Sequence, residues 1–329
     1  MNLARKAAIE ALLAQTTLPV VCAPMFLVSG PELVVAACRA GLIGALPSAN
    51  ARDEGQFAQW MDRIAGELDA LRQAGERPGP LAANLNVRSG VRVGTPRHAA
   101  DVETCRRHRV PLVITVSGDP APVVAEVHDW GGLVFHDVAT LQHARKAIDA
   151  GVDGLIVICG GGGGHSGALN PFAFVPQVRA LFDGAIVLAG AIATGGAARA
   201  AQVLGADLCY MGTRFIATQE SMAPPAYKAM IATAESDELV YTPVFTRGVP
   251  TMMLQASVRE HGFDPRNMPT PADVPETVKA WRDVWAAGQS VGLIHDVPPV
   301  AELVERLKRE YAEAGERAAW LGAGRPSAG

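Results

Sequence analysis

The 329-residue chain is poor in cysteine, and the five it has, Cys22, Cys38, Cys105, Cys159 and Cys209, form no CxxC pair. An odd, scattered set argues against a disulfide framework or a zinc site and fits a reducing, cytoplasmic compartment. Long apolar runs are missing too: nothing approaches the ~20 apolar residues of a membrane span. The opening stretch, MNLARKAAIEALLAQTTLP, is interrupted by Arg5, Lys6 and Glu10, so it reads as a short helix and not as a secretory leader. Net charge is small, −4, and gives no electrostatic reason for a nucleic-acid or membrane partner. HxH and HExxH spacings are absent, so no metal site is expected. What is present is a globular composition, 49% hydrophobic and 19% charged, with 34 glycines that suggest tight turns or close backbone approaches.

Eight short apolar runs recur, at 20–25, 42–48, 81–87, 112–118, 132–138, 154–160, 185–192 and 208–215. Most are too apolar for a strand with one wet face and read as parallel strands covered on both sides. Amphipathic stretches separate them: 139–150 puts Leu141, Ala144, Ala147 and Ile148 on one stripe, and 197–205 stops at a glycine. The count favours an α/β fold, a (β/α)8 TIM barrel. The competing open doubly wound sheet often carries GxGxxG after its first strand, where this chain has PMFLVSG. Past Phe215 the repeat is lost among prolines, and a smaller helical lobe inserted after the last strand is expected, capping the barrel mouth. The expected division is a barrel over 1–221, a helical substrate or lid lobe over 222–299, and over 300–329 a helix returning to the barrel plus a flexible tail, GAGRPSAG. Tyr241, Phe245, Met252, Met253 and Gln255 are the lobe's candidate pocket residues.

Chemistry concentrates at the strand ends. After the sixth run, five consecutive glycines, Gly160 to Gly164, precede His165, Ser166 and Gly167. Glycines let backbone approach a ligand and present N–H groups to it, and a mouth histidine titrating near neutrality can take or give a proton. A flexible linker is the competing reading; it would be richer in Ser and would not abut a buried strand. After the seventh and eighth runs stand Gly190-Ala191-Ile192 and Met211-Gly212-Thr213. Barrels commonly build a phosphate site there from main-chain N–H groups, to which Thr213 can add a hydroxyl. Ala23-Pro24-Met25 ends the first run: Pro24 stiffens the turn, and Met25 offers a polarisable surface for either core packing or a flat ring. Asn84 in the third run either reads the edge of a ring or caps a turn. His136 and Asp137 end the fifth run and are expected to face the mouth.

Together these residues resemble the nitronate monooxygenase (2-nitropropane dioxygenase) family. The resemblance runs from Pro19 to about Tyr227 and rests on Ala23-Pro24-Met25, Gly163-Gly164-His165-Ser166-Gly167, Ala189-Gly190-Ala191-Ile192 and the long block Gly212-Thr213-Arg214-Phe215-Ile216-Ala217-Thr218-Gln219-Glu220-Ser221. It implies a barrel with a smaller helical domain, non-covalent FMN, and oxygen-dependent oxidation of nitronates or nitroalkanes to carbonyl compounds and nitrite. His165 matches the catalytic histidine. Gly163, Gly190, Ala191, Gly212 and Thr213 would contact the phosphate end, Met25 and Asn84 the ring, and Tyr210 and Met211 match positions that also line the FMN site. Two positions depart: Asp137 stands where some relatives have Lys, and Ile158 where some have Gln. A small-molecule substrate and oxygen are the implied partners, and assembly into a homo-oligomer is left open. Because enoyl and quinone reductases share this barrel and its Gly-Gly-His, an NAD(P)H-dependent flavin reductase stays the alternative, with a non-catalytic ligand-binding barrel as a third reading.

Overall fold

The computed structural model describes residues 3–53, 55–88 and 93–322, with side chains as far as residue 317. Eight parallel strands close on themselves in sequence order: β1 (Val20–Cys22), β2 (Ile43–Pro47), β3 (Leu81–Asn86), β4 (Leu112–Val116), β5 (Leu133–Val138), β6 (Gly154–Ile158), β7 (Ala185–Ala189) and β8 (Leu208–Met211). Each lies inside one of the eight expected runs, and Val20–Cys22 pairs with Cys209–Met211 to shut the barrel. Alternate residues go to opposite faces. Val21, Ile43, Ala82, Ile114, Phe135, Ile156, Val187 and Leu208 fill the interior, while Cys22, Leu46, Val113, Val134, Val157, Leu188 and Cys209 pack outward against helices. Both faces are dry, which is why the runs are continuously apolar.

The outer ring is α2 (Pro31–Arg39), α3 (Gln56–Gln73), α4 (Pro96–Arg107), α5 (Ala121–Asp129), α6 (Leu141–Asp149), α7 (Pro171–Leu181) and α8 (Gly195–Leu204), preceded by α1 (Leu3–Leu13). Helix α1 sends Ile9 and Leu12 into the interior cluster, and Arg5 donates to the Gly132 carbonyl where β5 begins, so α1 plugs the end at which strands enter. Thr95, Thr140, Asn170 and Thr194 cap α4, α6, α7 and α8 by accepting a backbone N–H from the first turn.

The eighth strand stops sooner than expected. The ladder ends at Met211, and Thr213–Ile216 forms one helical turn, α9, because Phe215 and Ile216 donate N–H groups to the Gly212 carbonyl. The segment that follows is less helical than expected. It holds α10 (Pro225–Thr233), a two-stranded antiparallel sheet of β9 (Leu239–Thr242) and β10 (Thr251–Leu254), α11 (Gln255–Glu260) and a 3₁₀ turn at Gln289–Leu293. Pro243 and Pro250, read from sequence as breakers, stand just outside the paired residues, where no ladder donor is lost.

The chain then returns as α12 (Val300–Gly322), which lies along α8 and against α2 and so fills the eighth helical slot. Both carboxylate oxygens of Glu220 accept the N–H of Val300 and start the helix. Farther along, Glu310 accepts the Gly195 N–H at 2.7 Å and Tyr311 accepts from Arg199. The expected flexible tail lies, beyond Gly322, outside the described residues. Among those residues, no helix is long and apolar enough to cross a membrane, and no cluster of three His, Cys, Asp or Glu could hold a metal ion.

Gly195 sets how closely α12 docks. A Cβ there would run into the Leu307 carbonyl and sit 2.5 Å from the Tyr311 nitrogen, both backbone atoms. At Gly196 the nearest atom would be 3.9 Å away. Gly195→Ala is therefore expected to cost about 1–3 kcal/mol, as overpacking does. Gly196→Ala should be neutral or stabilising by about 0.5–1 kcal/mol, since alanine is the better helix former. Paired urea melts check this, and equal losses at the two positions would contradict the backbone clash.

Candidate active site

A cavity of about 470 Å³ opens where the strands end, a size typical of small-molecule sites. Residues from all eight strands or the turns after them meet there. The turn after β1 gives Ala23, Pro24 and Met25, and β3 gives Asn84. The turn after β6 gives Gly163, Gly164 and His165, and that after β7 Gly190 and Ala191. Tyr210 on β8 is followed by Gly212 and Thr213, while β5 contributes Asp137. Residues up to 190 positions apart in sequence therefore line one space, and all of these were singled out by sequence, Asp137 as a mouth-facing residue.

Backbone conformation is unusual around this cavity. Among the described residues six non-glycines have positive φ, and three of them, Ser117 (59°), Ala191 (55°) and Trp281 (64°), line it. Such a conformation costs an L-residue on the order of 1–2 kcal/mol, so its clustering at one mouth marks a site where backbone direction matters. Ala191 follows Gly190 at φ 126°, and the pair turns the chain sharply out of β7. The N–H groups of Gly190, Ala191, Gly212 and Thr213 find no acceptor among the described residues. Unpaired amides beside a cavity are a binding surface for an anion.

The segment after β8 roofs the site. Gly288 donates its N–H to Thr213 Oγ1 at 2.9 Å, and Gln289 donates to the Gly161 carbonyl at 2.9 Å. Gly163 lies so close beneath that a Cβ on it would be 2.5 Å from the Gly288 nitrogen. Ser166 donates to the Pro250 carbonyl, and His165 bridges to Thr251. The indole of Trp281 stands edge-on to the His165 ring, centroids 5.1 Å apart, and edge-on to Phe26 at 6.3 Å. Crowding by these neighbours lowers the His165 pKa, so the imidazole is neutral at pH 7 and able to accept a proton. Asn84 donates its amide N–H to the Ile114 carbonyl at 3.3 Å, and its amide oxygen meets no donor among the described residues.

Sequence reading missed several parts of this machinery. The turn after β1 is fixed by two buried polar side chains. Ser29 Oγ accepts from Met25 N–H and donates to the Ala23 carbonyl. Asn50 accepts from Leu27 N–H and donates to the Met25 and Ser29 carbonyls. Serine just before the first helix and the Ser-Ala-Asn after β2 were the available signals. Trp281, Gly288 and Ser290 also line the cavity and lie in a stretch without a motif. The lobe candidates went astray: Tyr241, Phe245, Met252, Met253 and Gln255 do not line it. Phe245 and Met253 are buried in a separate apolar cluster, Gln255 donates to the Asp237 and Leu239 carbonyls, and Tyr241 donates to the Ser166 carbonyl at 3.3 Å.

Two further expectations fail on strand alternation. Asp137 faces the cavity, so its neighbour His136 faces the helices, with Nδ1 2.8 Å from the Thr115 hydroxyl. Likewise Tyr210 faces inward, and Met211 is buried in the outer layer between sheet and helices. Neither His136 nor Met211 lines the cavity.

Burial pushes the Asp137 carboxyl up to about 7 and the His136 imidazole down to about 4. For Asp137 both folded and unfolded chains are neutral in strong acid. As pH rises towards about 7 the unfolded chain ionises first, and stability falls. For His136 both chains are neutral above about pH 6.5. As pH drops towards about 4 the unfolded chain protonates first, and stability falls in that direction. The two side chains thus tilt one pH window oppositely. Asp137→Asn should leave Tm rising with pH across it, and His136→Asn should leave Tm falling. Calorimetry from about pH 4 to about pH 7 checks both slopes, and slopes unchanged from wild type would contradict the burial of these groups.

Comparison with known proteins agrees with this geometry. A sequence profile described as nitronate monooxygenase matches residues 8–310. A hydroxy-methyl-oxo-octahydro-indene-carboxyl-CoA dehydrogenase of Mycobacterium tuberculosis is 29% identical over 247 residues, 74% of this chain and 64% of that one. A nitronate monooxygenase of Paraburkholderia phytofirmans is 28% identical over 220 residues, 60% of this chain and 59% of that one. The chain thus matches less than two thirds of each of these relatives. A solved nitroalkane oxidase from Streptomyces ansochromogenes superposes with TM-score 0.75 at 27% identity, covering 94% of this chain and 99% of that one. With a closed eight-stranded barrel, a glycine-rich turn leading to His165 and a family match over nearly its whole length, the chain belongs to the nitronate monooxygenase family.

Proposed function

We propose that the cavity holds FMN and that the enzyme oxidises nitronates or nitroalkanes with oxygen, giving a carbonyl compound and nitrite. The observation that carries this reading is the pairing of unpaired amides at Gly190, Ala191, Gly212 and Thr213 with a neutral imidazole at the same mouth. The cavity passes a test of fit. A Cβ on Gly212 would meet protein only at 3.5 Å, at the Met25 sulfur, so this glycine is not needed for packing and leaves its space to a ligand. The amides, with the Gly163 and Gly164 backbone and the Thr213 hydroxyl, would take the terminal phosphate, and Met25 and Asn84 would meet the ring. Ala23, Pro24 and Tyr210 would complete the cradle. When bound, FMN supplies electron acceptance and the reaction with oxygen.

The chain's own contribution is position and proton handling. His165 would remove the α-proton of a neutral nitroalkane and only orient a nitronate, which has already lost it. Trp281 holds the imidazole from the side, and the roof over Gly163 limits water. A second reading rests on the carboxyl-CoA dehydrogenase relative: a flavin enzyme acting on a thioester, with NAD(P)H as electron donor where the direction is reductive.

The purified protein should be yellow. Anaerobic mixing should bleach it with a nitronate and not with NADH or NADPH; the reverse would favour the second reading. His165→Ala should keep the flavin and slow turnover of neutral nitroalkanes by about 10²–10⁴-fold, the range of a lost general base, with a much smaller loss on nitronates. Equal losses on both would remove the proton-abstraction role. Gly212→Val should fold normally and purify without flavin, and a fully loaded yellow variant would contradict the phosphate placement.

A further inference from the structure

The cavity is lined by a carboxyl that no partner explains. Asp137 points inward from the end of β5, and its Oδ1 is buried without a hydrogen bond among the described residues. Among the described residues no Lys or Arg lines the cavity. The titratable groups that face Asp137 are few. Tyr210 comes from β8, its phenol pushed well up by burial and by Asp137 and Cys22. His165 stands in the turn after β6. The adjoining strands β4 and β6 present Val116 and Ile158, and Ser117 follows β4. The thiol of Cys159, after β6, is pushed up to about 12 by burial and packs in the outer layer.

We infer that Asp137 takes up a proton when a flat ring covers the cavity and serves there as a neutral carboxylic acid, donating a hydrogen bond to a carbonyl or ring-nitrogen acceptor of that ring. This rests on the flavin reading above. A ring over the mouth shields the carboxylate from solvent, and no cation among the described lining residues would replace that solvation. A phosphate gathered by the amides of Gly190 and Thr213 adds negative charge to the same cavity, which further disfavours an anion. The neutral acid has one O–H to donate, and the ring supplies an acceptor that the protein does not. Free Asp137 titrates near neutrality, so at pH 8 it is mostly ionised before binding. The proton comes from solvent, and no bond other than O–H forms.

The test is calorimetric titration of FMN into flavin-free protein at pH 8, in two buffers of different ionisation enthalpy. The wild-type chain should take up close to one proton per FMN bound, by linkage to the shifted carboxyl. Asp137→Asn should bind FMN at the same stoichiometry with no uptake. His165→Gln should keep the uptake, since that imidazole is already neutral at pH 8. FMN bound by the wild type without proton uptake would overturn the proposal and mean that Asp137 stays ionised and accepts from a ring N–H. Uptake unchanged in Asp137→Asn would overturn it as well, by assigning the proton elsewhere. A wild-type chain that binds no FMN would defeat the flavin reading itself, and this one with it.

Discussion

One backbone contact organises the mouth of this barrel. The main chain of Gly288 lies on that of Gly163, with the Gly288 N–H on the Thr213 hydroxyl and the Gln289 N–H on the Gly161 carbonyl. Three turns from distant parts of the chain are thereby tied at hydrogen-bond distance. Neither glycine could carry a side chain: a Cβ on Gly288 would sit 2.7 Å from the Gly161 carbonyl oxygen. The consequence reaches His165. Its neighbour Ser166 is pinned to Pro250, and Trp281 is brought against its ring, so the imidazole is positioned by the segment that also roofs the cavity. A side chain held this way is ordered by packing, since no hydrogen bond to its ring nitrogens is made among the described residues.

The fold was written plainly in the sequence, and for a physical reason. A parallel barrel buries both faces of every strand, so each strand is a continuous apolar run, and the eight runs at 20–25 through 208–215 each contain one. The mouth was legible where chemistry needs glycine, as at Gly163, Gly190 and Gly212, because few other reasons place glycine at successive strand ends. Legibility failed where facing depends on register. A period of two puts Asp137 in the cavity and His136 outside it, and Tyr210 inside with Met211 outside. Sequence alone marked both members of each pair, since both lie at a strand end. It failed again in the roof, where Trp281 is held at φ 64° by tertiary contacts that no local pattern announces.

The long block after β8 divides between two tasks. Gly212 and Thr213 face the cavity. Arg214, almost wholly buried, instead donates to Asp296 and to the Ala217 carbonyl, and Asp296 is shared with Arg306 of α12. Thr218 and Ser221 donate to the Phe215 and Ile216 carbonyls, and Glu220 caps α12. The block therefore joins the cavity-lining turn to the closing helix. Removing one partner of the Arg214–Asp296 pair would leave an uncompensated buried charge, which costs far more than the pair itself contributes.

Local rules are broken together at this mouth: backbone strain at Ser117, Ala191 and Trp281, unpaired amides at the ends of β7 and β8, and a buried carboxyl oxygen of Asp137 without a hydrogen bond among the described residues. Each is unfavourable by itself. A planar, multiply hydrogen-bonding anion in the cavity would pair the amides, meet the carboxyl and justify the strained turns that aim them. Under the proposed function the strain and the unpaired groups would be offset by the ligand, and the barrel core beneath, packed on both faces of every strand, is what allows the chain to carry them.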